Sequence, residues 1–333
     1  MMDFLLEYGM FLAKFATVML MLLVLIIAVF ILVMRTRTSG DEHLEIKNIN
    51  QKYEQMQLML KSAILPKKDF KKTIKETKAR QKSEEKKEKD DTERMRIFVL
   101  DFDGDIRASD VASLREEITA ILTVATGKDQ VFVRLESGGG TVHGYGLAAS
   151  QLKRITDKEI RLIVSVDKVA ASGGYMMACV ANQIISAPFA VLGSIGVLAQ
   201  IPNFYRLLKK HDIDFEQIAA GKYKRTMTLF GENREEDREK LKEELEEAHK
   251  LFKEFVKDNR EQVDIEKIAT GEHWYGKQAL DLGLVDKLQT SDDYLAQFAN
   301  EADIYEIKYV RKKPFIEKLL NPAARLFDPD SLK

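Results

Sequence analysis

The chain has 333 residues, 45% of them hydrophobic and 32% charged, with a formal net charge of −1. That is enough for one sizeable core plus appendages, and the charge balance gives no global basic field to call for nucleic acid. The single cysteine, Cys179, lies in an apolar context; this excludes a disulfide scaffold and a Cys-built metal site and leaves the redox compartment open.

Phe15 to Met34 is an uncharged apolar run of about twenty residues, long enough to cross a bilayer. Lys14 precedes it, and Arg35 and Arg37 follow it without a small-residue cleavage site, so residues 1–39 read as an uncleaved anchor. Residues 40–95 read as a linker. His43 to Leu65 has weak helical periodicity (Leu44, Ile49, Tyr53, Met56, Leu60), as in a short amphipathic or coiled-coil helix. Beyond Pro66 the Lys- and Glu-rich run cannot bury enough apolar surface to order itself. It reads as a solvated spacer, or as a tether whose Lys-rich first half touches anionic lipid.

The folded domain is expected over residues 96–300. Strands are predicted at Arg96–Phe102, Gln130–Leu135, Ile160–Val166, Asn182–Ala187 and Phe215–Ala219. Helices are predicted at Ala108–Leu122, Val142–Ile155, Tyr175–Ala181, Phe204–His211, Arg234–Asn259 and Gln278–Leu282, the last closed by Gly283. Strands alternating with helices argue for a parallel sheet with crossover helices. Val169 to Tyr205 contains no charge, but glycines and Pro188 break it, so it reads as buried sheet and helix rather than a second span. Residues 301–333 read as a C-terminal strand and a tail helix from about Pro314.

The stretch Ile160 to Tyr175 carries the chemistry. A β-branched strand stops at Ala170-Ala171-Ser172-Gly173-Gly174. A serine at a strand-to-helix turn exposes its hydroxyl beside backbone N–H groups, which suits a nucleophile with a backbone oxyanion hole. A tight turn of small residues explains the same letters. A nucleophilic serine needs a base. His143, after the Gly-rich loop, is the best placed of the histidines; His43 and His249 read as solvated, His211 as a helix cap and His273 as packing or surface. Lys224, in Gly221-Lys222-Tyr223-Lys224-Arg225, is the other option. A lysine base has to be neutral, which burial and neighbouring cations favour, although the composition alone reads as a basic surface turn.

Taken together, AASGGY, the downstream GSIGV, the GKYK segment and Gly283-Leu284-Val285-Asp286 resemble the signal peptide peptidase A (protease IV) family of Ser–Lys serine peptidases, over residues 95 to 290. The resemblance implies an α/β, ClpP/crotonase-like β-α superhelix behind an N-terminal transmembrane helix. It implies Ser172 as nucleophile, Lys224 as general base, and an oxyanion hole from the N–H groups of Gly139 and Gly173. The family's S-P-G-G loop is Ser137-Gly138-Gly139-Gly140 here, so Gly138 replaces a stiffening proline. Neither a metal nor a cofactor is implied. The expected partners are apolar peptide or protein substrates, such as signal-peptide remnants or misfolded envelope proteins, together with membrane lipid and copies of the chain in a homo-oligomeric ring.

In that ring Lys224 of one copy would serve Ser172 of a neighbour, with Phe189, Leu192, Ile195 and Leu198 as candidate interface or subsite residues. The family places the catalytic domain in the periplasm, on the outer face of a bacterial inner membrane. The positive charges behind the apolar run place it in the cytoplasm. Two alternatives stay open: a crotonase-type acyl-CoA enzyme using Glu136 and Asp167, and a non-catalytic anchored scaffold.

Overall fold

The computed structural model describes residues 2–37, 42–72, 74–75, 94–221, 223–224 and 226–311. The expected tail helix lies outside them. The chain divides into two units, residues 1–43 with 310–333, and residues 44–309.

In the first unit one helix, Met2–Arg37, contains the apolar run. Its Tyr8–Ile27 stretch has a mean hydropathy of 2.6 and no buried side chain, and is long and apolar enough to cross a membrane. The second unit opens with β1 (His43–Asn48) and a helix, Ile49–Ile64, within the His43–Leu65 stretch whose periodicity suggested a short helix. Asn48 caps that helix by accepting the N–H of Gln51. Ile49 is the one residue of the helix that is buried.

The sheet continues with β2 (Arg96–Gly104), β3 (Gln130–Ser137), β4 (Arg161–Val166), β5 (Val169–Ala171), β6 (Gln183–Ser186), β7 (Val191–Gly193), β8 (His273–Tyr275), β9 (Lys287–Leu288) and β10 (Asp303–Val310). Its main order is β1-β10-β2-β3-β4-β6-β9. The C-terminal strand is therefore an inner strand beside β2, in register Asp303↔Arg96, rather than an appendage. From β10 to β9 every pairing is parallel, as crossover helices require. The helices Val111–Leu122 and Val142–Thr156 make the crossovers after β2 and β3. The sheet branches at the end of β3: Ser137 pairs with Ala170, and β5, β7 and β8 run on as a second, smaller arm. This is the β-α superhelix that the resemblance implies.

Strand alternation sorts the core. Phe98, Leu100 and Phe102 pack into the larger cluster with Leu114, Ile118 and Leu152, while Ile97 and Val99 face a smaller cluster with Phe132, Ile163, Tyr294 and Leu295. Each fully buried aliphatic or aromatic side chain contributes about 1.5–3 kcal/mol of transfer free energy. The uncharged stretch after Val169 supplies β5, the buried helix Gly173–Ala178, β6 and β7, so it belongs to this core. The long helix Glu235–Asn259 buries only Phe252 and Val256 fully, so its apolar stripe is covered chiefly at the C-terminal end.

Candidate active site

The branch point of the sheet builds the site. β5 is wedged between the end of β3 and β7, with Ala171 opposite Gly193, and the chain turns at Ser172 straight into the helix Gly173–Ala178. Ser172 has φ 51° and ψ −117°. A non-glycine residue in so sparse a region stores about 1–3 kcal/mol and needs its surroundings to hold it. Its N–H donates to Gly193 O at 2.7 Å, and its carbonyl accepts the N–H of Met176 at 3.0 Å. The side chain is half-buried. The N–H of Gly173, at the first helical position, has no intrahelical acceptor.

Gly139 and Gly173 are packed tightly around this turn. Gly139 has φ +90°, and a Cβ on it would lie 2.7 Å from Ser172 Cβ and 2.8 Å from the nitrogen of Gly173. A Cβ on Gly173 would lie 2.3 Å from the ring of Tyr145. Ser172, Gly139 and Gly173 are thus brought together as expected. One detail differs from the simple picture: the N–H of Gly139 donates to Ser137 Oγ at 3.1 Å.

Lys224 is exposed, its backbone N–H donates to Gly221 O at 3.1 Å, and among the described residues no hydrogen bond joins its side chain to Ser172. The strand expected at Phe215–Ala219 does not form. Residues 212–221 are irregular, and Phe215 and Ile218 stay exposed, the latter at 94%. Among the described residues their β-branched, aromatic pattern pairs with no strand.

His143 is exposed on the first turn of its helix. His211 closes the helix Tyr205–Lys210, and His273 lies in β8. His249 is not solvated as expected: it is half-buried and its Nε2 lies 3.2 Å from Ile195 O. Of the candidate subsite residues, Leu192 and Ile195 are fully buried core, whereas Phe189 and Leu198 are 84% and 76% exposed.

The carboxylates of the acyl-CoA alternative are already engaged. Glu136 pairs with Lys168 at 2.8 Å, and Asp167 accepts both the N–H and the hydroxyl of Ser291.

Sequence reasoning missed the residues under the loop. Ser137 Oγ lies 2.5 Å from Tyr145 Oη, whose hydroxyl donates to Asp105 O at 2.8 Å. A tyrosine among small residues in Gly144-Tyr145-Gly146 was the available signal.

Comparison with known proteins gives a consistent picture. The family description "Peptidase family S49 N-terminal" matches residues 3–152, and "Peptidase family S49" matches residues 154–305. The chain is 49% identical over 332 residues to "Probable protease SohB" of Haemophilus influenzae, covering 95% of this chain and 92% of that one. It is 47% identical over 320 residues to the protein of that name in Buchnera aphidicola subsp. Schizaphis graminum, covering 95% and 93%. Among solved structures, a membrane-bound stomatin-specific protease superposes with a TM-score of 0.43 and 12% identity, covering 66% of this chain and 99% of that one.

Proposed function

The chain belongs to peptidase family S49, and from that premise we propose that it is a serine endopeptidase working through Ser172 and Lys224. The observation that carries the reading is the strained backbone of Ser172, held at a strand-to-helix turn with Gly139 against its Cβ and the N–H of Gly173 at the first helical position beside it.

In the proposed reaction, neutral Lys224 takes the proton of Ser172 Oγ as that oxygen attacks a peptide carbonyl. The carbonyl oxygen becomes an oxyanion, received by the N–H of Gly173 and by the Gly138–Gly140 loop. The N–H of Gly139 is shared between Ser137 Oγ, which it keeps, and the oxyanion. A backbone donor of this kind is worth about 3–4 kcal/mol in the transition state. The C–N bond breaks as Lys224 returns the proton to the leaving amine. Water, deprotonated by Lys224, then attacks the acyl ester and frees Ser172.

The exposed position of Lys224 supports a shared site. It stands in a segment whose Leu207, Ile213, Phe215 and Ile218 are exposed apolar residues, as an interface between copies requires. A head-to-tail contact of this kind closes as a ring. The substrates would be extended apolar peptides, the Met2–Arg37 helix would anchor the protein in a bacterial inner membrane, and the catalytic domain would lie in the periplasm. Arg35 and Arg37 argue for the opposite side; a reporter active only in the periplasm, fused after Lys333, decides between them.

The test of the reaction is hydrolysis of casein or an apolar peptide ester by single variants. Ser172→Ala and Lys224→Ala should each reduce the rate to background, and His143→Ala should keep most of it. An active Lys224→Ala protein would overturn the dyad.

A further inference from the structure

We propose that Ser137 and Tyr145 are positioning residues for the oxyanion loop, acting through one chain of hydrogen bonds from Gly139 N–H to Asp105 C=O, buried at its Ser137–Tyr145 link. The inference rests on the reading of Ser172 as nucleophile and adds to it the device that gives the loop its shape.

Three consecutive glycines, Gly138 to Gly140, have no side chains to fix their course. Their shape has to be imposed from outside, and two ties do so. The first is the chain of hydrogen bonds. The hydroxyl of Tyr145 donates to Asp105 O at 2.8 Å. Tyr145 Oη and Ser137 Oγ lie 2.5 Å apart, and with the tyrosine proton on Asp105 O the serine is the donor; Gly104 O stands 3.4 Å from Ser137 Oγ as a second acceptor. Ser137 Oγ accepts the N–H of Gly139 at 3.1 Å. Ser137 and Tyr145 are buried, at 2% and 0% exposure. Water cannot replace a lost partner between these two side chains, so breaking their link leaves a buried hydroxyl unpaired.

The second tie is backbone to backbone. The N–H of Thr141 donates to Ile106 O at 2.9 Å, and a Cβ on Gly140 would fall 2.1 Å from that oxygen. The loop after β3 is thus clamped against the loop after β2 at residues 104–106.

Tyr145 also touches the other half of the site. Its ring fills the space where Gly173 would carry a Cβ, and it meets Phe102 edge-on with centroids 6.4 Å apart. One side chain therefore sets both the Gly173 end, through its ring, and the Gly139 end, through its hydroxyl and Ser137. Tyr145→Phe separates the two: the ring stays and the chain breaks.

The experiment is steady-state hydrolysis of an apolar peptide ester by the full-length protein in detergent, for Tyr145→Phe, Ser137→Ala and the double variant. Active sites are titrated with a fluorophosphonate, so that kcat is expressed per reactive Ser172. Misplacing a catalytic donor costs up to about 100-fold, and a loop loosened but not deleted should lose about 10-fold in kcat with KM within about twofold. The double variant should be no worse than the poorer single one, because all three break the same chain. A merely structural role would lower the number of titratable sites and leave kcat per site at the wild-type value; that result, or losses that multiply in the double variant, overturns the proposal. Ser172→Ala is run beside them. If it keeps activity, the nucleophile reading fails; if it is inactive while Tyr145→Phe and Ser137→Ala keep wild-type kcat, only the positioning role fails.

Discussion

Gly139 and Ser172 approach so closely that a single added methyl group on Gly139 would stand 2.7 Å from Ser172 Cβ. The contact joins the loop after β3 to the turn after β5, two segments separated by a whole crossover helix in sequence.

Gly139→Ala should therefore damage catalysis more than stability. The new Cβ also meets Ala171 O at 2.8 Å, and φ +90° is strained for alanine. The expected loss in kcat/KM is about 100-fold or more, the size seen when an oxyanion donor is removed. Stability should fall by about 1–3 kcal/mol. Kinetics beside thermal unfolding check this; wild-type kcat/KM in Gly139→Ala would remove the loop from the site.

Glu117 should make the fold less stable as pH rises. It is buried on the helix Val111–Leu122, and burial pushes its carboxyl up to about 7, against the N–H of Tyr309 that favours the charged form at 2.8 Å. The native state keeps this proton where the unfolded chain, titrating near 4.3, has released it. The associated stability is full below about pH 4.3 and is lost as pH rises to about 7. Its size is on the order of 3 kcal/mol. Glu117→Gln should flatten that part of the stability–pH profile in urea unfolding; an unchanged slope would contradict the assignment.

Arg260 ties the end of the long helix to the Gly283–Asp286 turn. Its guanidinium meets Asp286 at 2.8 and 2.9 Å and Gly283 O at 2.9 Å, and Asp286 also accepts the N–H of Ile184. Arg260 is buried, whereas Asp286 keeps some contact with water. Arg260→Ala should cost about 3 kcal/mol, the lower end for a broken buried pair. It should appear as a lower urea midpoint with an unchanged m value. A loss under about 0.5 kcal/mol would mean the pair is dispensable.

The main sheet was legible because its strands are continuous β-branched apolar runs, and the Ser172 turn because Ala-Ser-Gly-Gly cannot continue a strand. The short arm was not. β5, β7 and β8 have three residues each, too few for a period to show, and they exist through their partners. β1 was hidden in a stretch whose charged end dominated the reading; the pairing with β10 that defines it spans almost the whole chain. The strand read at Phe215–Ala219 is the converse case, a good local pattern with no partner in reach. At the site, the Ser172 turn was legible in its own letters, whereas Gly139 and Gly173 came only through the family resemblance. The Ser137–Tyr145 link came through neither, since it depends on a helix folding back over the loop.

Sharing of the site between copies predicts complementation. Ser172→Ala and Lys224→Ala variants, each inactive alone, should recover activity when mixed under conditions of subunit exchange, because some interfaces then pair an intact serine with an intact lysine. Exchange shown by native mass spectrometry, with activity still at background, would place the dyad within one chain.

The nucleophile itself is tested most directly by covalent capture. The full-length protein is treated with a fluorophosphonate, digested, and the adduct located by peptide mass spectrometry. The account predicts one adduct, on Ser172, forming in step with loss of hydrolysis and absent from Ser172→Ala. Full inhibition with the adduct on another residue, or an active protein left unlabelled, would contradict it.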